Sequence, residues 1–379
     1  MLKFVLLTVL ISLPVLAQNA KLSLNDVSIL LPLPPPGQWN LLPSASSIGA
    51  RGFLLPVNIV AEVPRLISES TNEEIYNRLH AVGIRLDPCF TEGHGPVRCQ
   101  PQIRMVWQIL ADNENTTSTI DASLHTFYPV SKEELQQLTE DILKLKTEFS
   151  VADDNAALGV HPVIQQQGLG GEYYPRMMQL IYNYVGEQNL SRVTFMTLFM
   201  TGNVWEFGGF DIKNSELIPI TIPRISSTTQ KLVNNALPAE WFRGGLVPAP
   251  DGAENLNFLL RDSSKLSLQN EQQIIDAAKA AFKFENPKLH NPGTVDCVSC
   301  HAAQPARSFT MLQFPSLQLD QLSREFVYTS ARNISNQSPR QSQTNILRSF
   351  GYFENSPFVA QRTINESAEV LNYFNQKFK

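Results

Sequence analysis

The chain has 379 residues, 43% apolar and 17% charged, with 35 acidic against 30 basic side chains. That composition excludes a disordered or collagen-like chain and suits a globular protein long enough for two domains. The acidic excess, with no Lys/Arg run, argues against nucleic-acid binding.

Residues 1–20 read MLKFVLLTVLISLPVLAQNA. Lys3, the apolar run Phe4–Leu13, the break at Pro14 and the small Ala17 form the pattern of a secretory signal peptide spanning 1–17. The run is shorter than the ~20 residues that cross a bilayer, and no later stretch is long enough, so no transmembrane anchor is expected. A periplasmic or secreted location follows, where disulfides persist.

Residues 22–64 are rich in Pro, Leu and Gly, and the triple proline Pro34-Pro35-Pro36 predicts an extended arm. Glu73–Val82 reads as a short helix capped by Ser70 or Thr71. Ala81–Leu86 and Gln102–Ile109 alternate like strands and flank Cys89 and Cys99, which predicts a hairpin closed by a Cys89–Cys99 disulfide. His94 at its tip reads as a solvated loop residue. A further strand is expected near Leu124–Tyr128. Ser131-x-x-Glu134 is a capping box opening a helix with Leu135, Leu138, Ile142, Leu145 and Phe149 on one face. Tyr173–Glu187 reads as a second helix.

Ser191–Phe199, Asn203–Asp211 and Glu216–Ile225 then read as a β-meander, the last an edge because of Pro219 and Pro223. Gly244-Gly245 and the Pro/Gly stretch 246–252 signal a linker. Beyond it come a helix over Ser267–Phe282, a break at Pro292-Gly293, a helix over Leu317–Tyr328, and a final helix opened by Thr363-x-x-Glu366. The expected class is α+β: a mixed domain of antiparallel strands and helices over 18–250, then a mostly helical segment over 251–379.

The chemistry concentrates at Cys297-Val298-Ser299-Cys300-His301, a C-x-x-C-H motif. On a helix, residues i, i+3 and i+4 share a face, so both thiols can reach the vinyl edge of a porphyrin and His301 its iron. Thr294 or Asp296 can cap that helix. In these residues, and little else, the chain resembles the c-type cytochromes. The resemblance implies one covalent haem c, with Cys297 and Cys300 as thioether anchors and His301 as proximal iron ligand. It implies electron transfer with a redox partner protein.

Compact members of that family carry a distal methionine several tens of residues downstream, and this chain departs from the pattern. Met311 is the sole downstream methionine, and no histidine follows His301. Met311 is one distal candidate; His290, His161 and His125 are next. An open sixth site, serving a small ligand or peroxide, is the remaining haem alternative.

Rival readings stand beside it. A redox dithiol would follow a strand in a βαβ unit, and zinc would want a second Cys/His pair. A haem-free exported binding or structural protein would hold disulfides Cys89–Cys99 and Cys297–Cys300. No G-x-S-x-G, H-E-x-x-H or second C-x-x-C-H is present, so an electron carrier or redox-complex subunit is expected before a stand-alone enzyme.

Overall fold

A computed structural model describes residues 21–91, 99–151, 155–199, 204–214, 216–233, 266–340 and 347–377. Residues 1–17, which carry the expected signal peptide, lie outside the described residues, as do His94, the expected boundary at 250 and the side chains of Cys89 and Cys99. No helix among the described residues is long and apolar enough to cross a membrane.

In chain order, α1 (Leu24–Val27), β1 (Ser28–Leu30), the small hairpin β2 (Ile48–Gly49) and β3 (Gly52–Phe53), α2 (Val57–Glu62) and α3 (Asn72–Arg78) lead into the sheet. Then come β4 (Leu79–Thr91), β5 (Cys99–Asp112) and β6 (Thr117–Pro129), followed by α4 (Lys132–Glu148), α5 (Pro162–Gln167) and α6 (Tyr173–Tyr182). Strands β7 (Arg192–Phe199), β8 (Val204–Lys213), β9 (Glu216–Pro219) and β10 (Thr229–Val233) follow. The C-terminal part holds α7 (Glu271–Glu285), α8 (Cys297–Gln313), α9 (Leu319–Leu322), the hairpin β11 (Phe350–Phe353) and β12 (Ser356–Val359), and α10 (Gln361–Lys377). The fold is a mixed α+β one, as the sequence pattern led us to expect.

One eight-stranded antiparallel sheet, in the order β1-β4-β5-β6-β7-β8-β10 with β9 also on β8, organises the molecule. Side chains alternate across a strand, so each strand feeds two layers. One face sends Ile103, Met105, Trp107, Leu124 and Tyr128 into a cluster with Leu135, Leu138 and Ile142 of α4 and Met177 and Ile181 of α6. The opposite face sends Met196, Trp205, Phe207 and Leu232 into a second cluster with Ala277, Ala281 and Phe284 of α7 and Val298, Ala302 and Ala306 of α8. The C-terminal chain reaches both cores, since Ile364, Ala368, Leu371 and Phe374 of α10 join the first cluster.

The capping boxes at Thr71/Glu74 and Ser131/Glu134 form as their spacing demands. Several boundaries differ from expectation. Leu79–Val82 is strand, because α3 ends at Arg78 and its extended C-cap Leu79 runs straight into the β4–β5 ladder. In the β4–β5 hairpin a register shift between Asp87 and Phe90 sets Thr91, not Cys89, opposite Cys99. The expected helix over 317–328 is only Leu319–Leu322, entered from a left-handed Gln318 (φ 47°). Thr363 caps nothing: α10 already begins at Gln361, and the Thr363 hydroxyl donates to Ser349 O (3.0 Å). The third meander strand stops at Pro219, and β10 takes the rest of that edge of β8.

The β11–β12 hairpin was not legible in the sequence. It docks through a buried side chain: Gln108 Nε2 donates to Tyr352 O (2.8 Å), and Gln108 Oε1 accepts from Tyr352 N (2.7 Å), as a strand backbone would. Two glycines permit the approach. A Cβ on Gly83 would lie 2.6 Å from the Phe350 ring, and one on Gly351 (φ +144°) would lie 2.3 Å from Gln108 Oε1.

Candidate functional site

Between the second sheet face and the C-terminal helices lies a cavity of about 780 Å³, within the range of cofactor sites. Its helical wall carries Cys297, Cys300 and His301 at the start of α8. That turn is fixed from two directions. Asp296 is the N-cap, accepting from Ser299 N (3.1 Å), and Gln230 of β10 donates to the same carboxylate (2.6 Å) while accepting from Val298 N (3.0 Å). Of the two caps the spacing allowed, the structure uses Asp296, and the Thr294 hydroxyl instead donates back to Asn291 O (3.2 Å).

His301 Nδ1 donates to Leu347 O at 2.6 Å. That bond selects one tautomer and leaves Nε2 as the ring nitrogen with a free lone pair, the arrangement in which a metal-bound histidine is usually held. Leu347 is positioned in turn by Arg348, whose guanidinium pairs with Asp121 of β6 (2.8 Å), and Asp121 also accepts from Trp205 Nε1 (3.1 Å). The Phe207 ring stands 4.9 Å from the imidazole. Burial pushes the His301 pKa down to about 4, so at neutral pH the ring is uncharged, as a ligand must be.

Burial raises both thiol pKa values, helped at Cys297 by the neighbouring Asp296. The two sulfurs are therefore protonated, and they are not joined to each other. Among the described residues no group of three or more His, Cys, Asp or Glu side chains is gathered as a metal cage.

The sheet wall is charged in a pattern set by register. Arg85, Arg104, Phe127, Arg192 and Asp211 are successive cross-strand partners in one row from β4 to β8. Arginines side by side repel, so the row needs acids. Asp87 takes Arg104, Asp211 takes Arg192 (2.6 Å), and Glu366 of α10 takes both Arg85 (3.2 Å) and Arg362 (2.7 Å). Burial alone would raise the Glu366 pKa, but Arg362, Arg85 and Arg104 outweigh it and hold it at about 2. Five arginines (Arg85, Arg104, Arg192, Arg224 and Arg362) and three acids (Asp211, Asp296 and Glu366) border the cavity, so its wall favours an anionic occupant.

The structure thus gathers Cys297, Cys300, His301 and, from the sheet, His125 around one space. It does not bring Met311 there. Met311 packs in a separate cluster with Ile274, Ala278 and Leu319, its sulfur 3.7 Å from Arg307 Nη1. His161 is 3.7 Å from Asp26 Oδ1 in a buried ion group, and the His290 ring lies tilted against Phe284 (5.0 Å between centroids). Sequence reasoning passed over Arg85, Arg104, Arg362 and Glu366. A signal existed: Arg85 and Arg104 interrupt apolar strand runs, where an unpaired charge would be costly. No family model, curated protein or solved structure matches the chain.

Proposed function

We propose that the chain is an exported c-type haem protein that exchanges electrons with a redox partner protein. One observation carries the reading: both thiols and the imidazole of the C-x-x-C-H turn border a single cavity, and His301 Nδ1 is already engaged by Leu347 O. When bound, haem c supplies a one-electron iron couple whose potential follows from its axial ligands and their surroundings.

The residues present fit that group. Cys297 and Cys300 would anchor it as thioethers, and His301 would offer Nε2 to iron. The Leu347 carbonyl fixes the ring plane and raises the basicity of the free nitrogen. The arginine excess on the cavity wall would balance the two propionates. Met196, Phe207 and Val295 line apolar parts of the cavity and keep water from them. In this reading the segment 251–379 carries the haem and the sheet supplies the facing wall. The leader pattern at 1–17 supports a periplasmic or secreted setting.

The test is anchorage. In a host with the cytochrome c maturation machinery, the wild-type chain should keep its chromophore through denaturing acid–acetone extraction. Cys297→Ser with Cys300→Ser should release it. Loss of the chromophore from wild type under extraction would contradict the reading.

A further inference from the structure

We infer that His125 of β6 is the second axial ligand of the iron, so that the haem is clasped between the sheet and α8. The inference rests on the haem reading above and extends it to the sixth position.

His125 sits in the sheet row Val106–His125–Thr194, on the face that carries Arg104 and Phe127. Its ring borders the same cavity as Cys297, Cys300 and His301. In that reading the first two would anchor the group on the α8 side, and the third would offer it Nε2. A ligand for the opposite side of the ring must then come from the facing wall, and His125 is the imidazole that wall presents. The half-buried ring makes no hydrogen bond among the described residues, so a ring nitrogen is left to face the cavity. Coordination would satisfy it.

The charge environment agrees. Burial first, then the positive neighbours Arg104, Arg348 and Arg85, hold His125 in its neutral form, with a lone pair to donate. The ligation would need no co-reactant, since the neutral ring would donate an electron pair and no bond would break. One rival lies on the same wall. Met196 also borders the cavity, but it is 2% exposed and packed with Trp205 and Phe207 in the second core cluster. Turning its sulfur to iron would open that cluster, whereas His125 belongs to none of the core clusters.

The holoprotein, exported with the maturation machinery, is compared as wild type, His125→Ala and His125→Met by visible absorption, electron paramagnetic resonance and near-infrared magnetic circular dichroism. Wild type should be six-coordinate and low-spin with a bis-imidazole signature, and its ferrous form should not bind carbon monoxide. His125→Ala should keep the denatured mass of chain plus one haem, turn high-spin and bind carbon monoxide stoichiometrically. Added imidazole should restore the low-spin spectrum, and His125→Met should convert it to a thioether-ligated one. A wild-type histidine–methionine signature would assign the position to Met196 and overturn the inference. So would wild-type carbon monoxide binding, or an unchanged low-spin spectrum in His125→Ala. Each of those leaves the covalent haem standing, whereas a wild-type chain without haem mass removes the haem reading and this inference together.

Discussion

Asp26, Lys146 and His161 are buried together, far in sequence from one another, and their pairing decides their energetics. Lys146 Nζ is 2.5 Å from Asp26 Oδ2 and 2.7 Å from Lys21 O, and His161 Nε2 is 3.7 Å from Asp26 Oδ1. Burial alone would raise the Asp26 pKa. The nearby His161 ring and the hydrogen-bonded Lys146 ammonium outweigh burial and leave it at about 2. The folded value lies below the unfolded one of 3.8, so the carboxylate stabilises the fold above that pH. That contribution, about 2 kcal/mol, is lost as pH falls through about 2. Asp26→Asn leaves the Lys146 ammonium without its counter-charge and should cost about 3–5 kcal/mol at neutral pH. Urea midpoints read both effects, and the variant should lose the acid-dependent component that wild type shows. An unchanged midpoint at neutral pH would sink the pairing account. None of this group was legible in the sequence, because proximity between residues 26, 146 and 161 is created by the tertiary fold.

At the scale of elements, the N-terminus of α8 is where stability and site geometry coincide. Asp296 serves both the helix and Gln230, so Asp296→Ala removes an N-cap and the buried hydrogen bond from Gln230. The loss should be about 1–3 kcal/mol, seen as a lowered melting temperature of the holoprotein. A melting temperature equal to wild type would mean that the cap does not hold the turn. Elements whose signals are local were legible: the Ser131/Glu134 box, the amphipathic α4, and strands β5 and β7 follow from caps and alternation. Elements made by contacts distant in sequence were not. The β11–β12 hairpin depends on Gln108, and Glu366 was misread as half of a capping box because its partners Arg85 and Arg362 are not deducible from spacing. The C-x-x-C-H turn was fully legible. The wall opposite it was not, since only the sheet register brings His125 and Arg104 to one face.

For the whole molecule, sheet and C-terminal helices are parts of one packed body. Met196 and Phe207 share a cluster with α7 and α8, while α10 packs into the core on the other side of the sheet. The chain beyond residue 266 should therefore not unfold ahead of the sheet. Denaturant curves followed by haem absorbance and by far-ultraviolet circular dichroism should superimpose. Two separated transitions would show instead that the helical segment is an autonomous unit.

The central claim is that Cys297, Cys300 and His301 hold a covalent haem in the cavity between these layers. Intact mass under denaturing conditions, measured on the exported chain together with its visible spectrum, tests that most directly. The account predicts the mass of the chain plus one haem and a Soret band. A bare chain mass, lowered only by hydrogens lost to disulfides and with no visible band, would contradict it.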